Sequence, residues 1–133
     1  MVNEELPDEL FNRDRAFPYV YPLAHVIGWT DDEIITSLKM YEDVGITGSC
    51  AGTSLRTLLL TFVKSDPGFQ LLLTDYDIQY KEVDPSNHTL EEILKTFIEH
   101  NVTSRHLVCV FGYPAGVDLV DLKYKYEDEH TWT

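Results

Sequence analysis

Long apolar runs are missing from this sequence: no stretch approaches the roughly 20 residues that a membrane-spanning helix needs. Basic residues are scarce as well, with 10 lysines and arginines against 23 acids and a net charge of −13. Such a balance repels nucleic acid and anionic membranes, so direct binding to either is not expected, and it favours a basic protein as partner. Cysteine is limited to Cys50 and Cys109, far apart and in no CxxC or metal-spaced pair. A zinc ribbon and a disulfide framework are therefore not expected. The five histidines form no His-Glu-x-x-His motif, and Asp75 and Asp77 are not followed by the rest of a calcium loop. Metal ligation and cofactors are not expected on these grounds. The opening MVNEELPDELFNRDR is acidic, the reverse of a secretory signal, and a soluble, cytoplasmic protein is the expectation.

What is present is an ordinary globular composition, 44% hydrophobic over 133 residues, sufficient for one domain with one core. Residues 1–28 are expected to form an extended arm, because Pro18 and Pro22 interrupt the aromatic stretch AFPYVYPLAHVIGW. Residues 29–133 would form the folded core. Within it, Thr30 and Glu33 fit a capping box, followed by Ile34, Ile35, Leu38 and Tyr41 at helical spacing, with Gly45 as a stop. Leu55, Leu58, Leu59, Phe62 and Val63 make a complete helical stripe, capped by Thr53 or Ser54 and ended by Asp66-Pro67-Gly68. A second capping box, Thr89 with Glu92, opens a helix bearing Leu90, Ile93, Leu94, Phe97 and Ile98.

Four segments look extended. FQLLLTD and YDIQYKEV follow one another, and in the second Tyr76, Ile78 and Tyr80 alternate with polar residues. HLVCVFGY, residues 106–113, suits a strand buried on both faces. Val120, Leu122, Tyr124 and Tyr126 alternate with Asp121, Lys123 and Lys125. The fold class expected is α+β: a mainly antiparallel sheet of about four strands with three helices on one face.

One stretch could carry chemistry. Cys50 and Arg56, with Gly52 between them and Thr57 after, fit C-x5-R-[ST]. This spacing resembles the phosphate loop of cysteine-dependent phosphatases, in the short form of low-molecular-weight phosphatases and arsenate reductases. The resemblance implies Cys50 as nucleophile and Arg56 as a bidentate phosphate clamp. The residues before it depart from that pattern, since Val44–Ser49 is short and broken by glycine where an apolar strand is required. A small-residue turn opening a helix, without enzymatic activity, is the preferred expectation.

Function then falls to the surface. The sequence is read as a small acidic interaction protein that binds and inhibits a basic, nucleic-acid-handling protein such as a nuclease, as an immunity or anti-defence inhibitor. The alternatives are the phosphatase-like enzyme and an acidic subunit of a larger assembly. The expected partner-binding residues are Glu127, Asp128 and Glu129 with Tyr124, Tyr126 and Trp132, together with Asp31 and Asp32.

Overall fold

A computed structural model describes residues 8–130, with side chains from 15 to 129. Among the described residues there is no strand; the regular structure is seven α-helices and one 3₁₀ turn at Tyr80–Glu82. In chain order the helices are α1 (Asp8–Ile27), α2 (Asp31–Asp43), α3 (Gly48–Lys64), α4 (Pro67–Asp75), α5 (Leu90–Glu99), α6 (Ser104–Phe111) and α7 (Ala115–His130). The expected α+β class is thus corrected to all-helical, and no antiparallel sheet forms among the described residues.

The two capping boxes form as expected. Thr30 and Glu33 exchange hydrogen bonds of 2.7 and 3.1 Å at the start of α2, and Thr89 and Glu92 do so at 2.9 and 3.2 Å at the start of α5. Two further caps explain where the strand expectation went wrong. Asp66 does not merely end α3. Its side chain accepts from the Phe69 amide at 3.0 Å, with Pro67 preorganised in the first helical position, so FQLLLTD becomes α4. Thr103 accepts from the His106 amide at 3.2 Å and makes a helix of the expected strand 106–113. Only Leu107 and Phe111 of that apolar run are buried, one turn apart, while Val108 and Cys109 are exposed. In α7, Ala115, Leu119 and Leu122 are buried at helical spacing, whereas Tyr124 of the apparent alternation faces solvent. YDIQYKEV is a loop ending in the 3₁₀ turn, with only Ile78 and Val83 buried. The N-cap position of helix α3 is Thr47, rather than the expected Thr53 or Ser54, which lie inside the helix.

The expected extended arm is also corrected. Residues 8–27 are helical with both prolines inside. Pro18 and Pro22 are four residues apart and both exposed, on the face of the helix turned away from the core. Ala16, Val20 and Ala24 lie on the opposite, buried face. This small-residue stripe packs on α3 in the most extensive interface of the molecule. Gly52 sits at the crossing: a Cβ there would lie 2.3 Å from the Ala16 carbonyl oxygen. Gly116 plays the same part between α7 and α6, where a Cβ would lie 2.8 Å from the Leu107 carbonyl oxygen.

Four phenylalanines from four helices join the other half of the core. Phe62 of α3 meets Phe69 of α4, Phe111 of α6 and Phe97 of α5 at centroid distances of 4.8, 5.6 and 6.3 Å. Each such burial is worth about 1.5–3 kcal/mol. Trp29, between α1 and α2, is buried and donates its indole N–H to the Pro85 carbonyl at 2.7 Å, pinning the loop that precedes α5. These contacts set α2, the start of α5 and the end of α7 beside one another.

An acidic groove between three helices as the candidate site

Helix α2 turns Asp32, Thr36, Met40 and Asp43 along one stripe, at steps of about one helical turn. Across from it, α7 presents Leu122, Tyr126 and Glu129, again one turn apart. Glu91, in the first turn of α5, stands between them. The space enclosed is two adjoining clefts of about 180 and 130 Å³ that share Thr36, Met40 and Glu91. Its floor is mainly apolar, with Leu90 and Leu122 almost wholly buried, Met40 half-buried and the buried Ser37 beside them. Its rim carries Asp32, Glu33, Asp43, Glu91 and Glu129 against one cation, Lys125, which lies 3.7 Å from Glu129.

Carboxylates distant in sequence therefore meet around a non-polar surface. The arrangement suits a basic group better than any anion, and the apolar floor supplies area that charge alone does not. Both clefts fall below the roughly 300 Å³ of a small-molecule site. Next to the groove, Glu92 caps α5, and its hydrogen bond from the Thr89 backbone N–H holds its carboxyl below the usual carboxylate range. His88 stands 3.5 Å from the same carboxylate.

The residues expected at the partner surface divide. Asp32, Tyr126 and Glu129 line the groove. Asp31 and Asp128 are exposed without lining it, and Glu127 is half-buried. Tyr124 is exposed but turned towards α6, where its hydroxyl accepts from Ser104 Oγ at 3.3 Å. Trp132 lies outside the described residues. Sequence reading missed Met40, Asp43 and Leu122. The regular spacing of Asp32, Thr36, Met40 and Asp43 was the available signal, obscured by the stronger core stripe on the same helix.

Cys50 and Arg56 are both exposed and belong to the single unbroken helix α3. Six residues of helix separate them by about 9 Å along the axis and about 120° around it. The amides between them are engaged in helical hydrogen bonding, so no loop cradles an oxyanion. Cys50 does border an open cleft of about 540 Å³ with Thr47, Thr53, Tyr113 and Asp118. Burial pushes the Asp118 carboxyl above the usual carboxylate range; the nearby Ser54 opposes this shift and Asp121 adds to it. Gly52 is explained by the crossing of α1, not by the approach of a phosphate.

Another cleft of about 540 Å³ lies between α4 and α6, with Leu71, Leu72, Cys109 and Val110 in its wall. Among the described residues no group of histidine, cysteine and carboxylate side chains could hold a metal ion. No helix of the described residues is long and apolar enough to cross a membrane.

The chain is similar to the tape measure protein of Pneumococcus phage Dp-1, with 30% identity over 103 residues. That alignment takes in 73% of this chain but only 9% of the phage protein, so the chain spans a small part of its relative's length. No protein-family description matches the sequence, and no solved structure matches the chain.

Proposed function

We propose that this chain acts by binding a basic protein through the groove between α2, α5 and α7, as a helical interaction module of a larger assembly. One observation carries the reading: carboxylates from residues 32, 43, 91 and 129 converge on a single apolar-floored surface. Acid spread for solubility alone has no need of such a floor. The net charge of −13 would speed the encounter with a basic partner, and the buried apolar contact would hold it. The similarity to a small part of a phage tape measure protein supports the reading as a module of a larger assembly.

The test compares three forms of the chain as bait in the native host. Asp43→Lys with Glu91→Lys reverses two charges in the groove. Asp75→Lys with Glu99→Lys makes the same change in net charge at exposed positions away from it. Wild type and the second variant should retain the same basic protein, released as salt rises past about 0.1 M, and the groove variant should lose it. Equal loss from both variants, or retention of acidic and neutral proteins only, overturns the proposal.

A further inference from the structure

Resting on the reading of the groove as the binding surface, we infer that its occupant is a basic amphipathic helix. Backbone chemistry comes first. A segment laid over Met40 and Leu122 brings amides and carbonyls against an apolar floor. The walls are helices α2 and α7, whose interior backbone groups are already bonded within their own turns. Among the described residues there is no strand, hence no sheet edge along which an extended segment could pair. A helix brings its backbone already satisfied, so it is the form that can cover this floor without orphaned polar groups.

Shape agrees with that requirement. The lining of α2 runs from Asp32 to Asp43, which is about 16 Å of helix axis, or three turns. Two clefts adjoining at Met40 match two or three apolar side chains spaced one turn apart on the incoming helix. Methionine at the shared point is unbranched and can adjust to either neighbour. Charge settles the rest of the occupant's surface. Its apolar stripe would be flanked by lysine or arginine facing Asp32, Asp43 and Glu91, while Lys125 tolerates an acid or a neutral residue opposite.

The experiment uses two synthetic peptides of about 16 residues, long enough for partial helicity in water. They share one composition of leucine, alanine, lysine and arginine. In the first, the leucines fall on one helical face; in the second, they are distributed around the helix. Affinity for the full chain is read by fluorescence anisotropy, and the site by hydrogen exchange of the complex. The one-faced peptide should bind at least about ten-fold more tightly, a 1.4 kcal/mol difference. It should gain helical circular dichroism and protect α2 and the end of α7. Thr36→Arg, an exposed wall position, should abolish the preference between peptides while leaving the melting temperature unchanged. Equal affinities that both fall in the Asp43→Lys, Glu91→Lys variant overturn the helical occupant but leave the basic-partner groove standing. Equal affinities indifferent to that variant overturn both.

Discussion

Replacing Gly52 by alanine should destabilise the protein although it adds a better helix former. The substitution itself favours α3 by about 1 kcal/mol, since glycine is the poorer residue in a helix interior. Against this, the new methyl carbon would lie 2.3 Å from the Ala16 carbonyl oxygen and 2.9 Å from Tyr19 Cβ. The first obstacle is main chain, so no rotamer change relieves it. Helix α1 must retreat by about 1 Å, and a gap of that size forfeits a quarter to a half of the dispersion well for each contact it opens. The contacts at risk are those of Ala16, Val20 and Ala24, all buried against α3. Overpacking of this kind costs about 1–3 kcal/mol, so after the propensity gain the net loss should be up to about 2 kcal/mol. Urea unfolding would measure it, with Gly68→Ala as reference. Gly68 lies in the first turn of α4, and a Cβ there meets only Asp66 Oδ1 at 3.7 Å, so its alanine variant should be neutral or stabilising. Ala16→Gly should not rescue Gly52→Ala, because the obstruction is the carbonyl and not the side chain. If Gly52→Ala proves as stable as Gly68→Ala, α1 does not cross α3 at this point.

Three further outcomes are expected. Leu59→Asp places a charge where the side chain is wholly buried; it should cost several kcal/mol and leave the chain unfolded or molten by near-ultraviolet circular dichroism. A cooperative transition at the wild-type temperature would refute the packing of α3. Thr89→Ala removes the acceptor of the Glu92 amide and should cost about 1 kcal/mol. Glu92→Gln tests the other half of the box by pH. The Glu92 carboxyl is held below its usual range when folded, so it stabilises above the unfolded glutamate value of about 4.3 and loses that contribution as pH falls through the folded value. The slope of stability against pH in that acid window should be shallower in the variant; an unchanged slope would refute the linkage.

The legible part of the fold was the part written in local chemistry. Thr30 with Glu33, and Thr89 with Glu92, announce helix starts because each box is closed by atoms within four residues. The stripe from Leu55 to Phe62 announces its buried face because Leu55, Leu58, Leu59 and Phe62 satisfy one helical period, although Val63, expected to continue it, is exposed. Where two periods fit, the choice fell to strands, and wrongly. In 119–126, Leu119, Leu122 and Tyr126 keep helical spacing while Val120, Leu122, Tyr124 and Tyr126 alternate. Asp66 and Thr103 were the deciding signals, and each is a single capping residue, easily read as a turn.

Composition alone made this an acidic chain suited to basic partners, since net charge is a sum that folding does not alter. Which acids would act together was not a local property. Asp32, Glu91 and Glu129 are far apart in sequence and become neighbours only because α2, α5 and α7 share one core. The helical state of residues 8–27 was likewise settled by packing. Proline disfavours a helix in isolation, but the Ala16, Val20 and Ala24 face gains enough from its seat on α3 to hold the turn, with both prolines towards water. Short-range hydrogen bonds can be read one after another along a chain. The meeting of surfaces depends on how every helix fills the space left by the others, and that follows from their packing together.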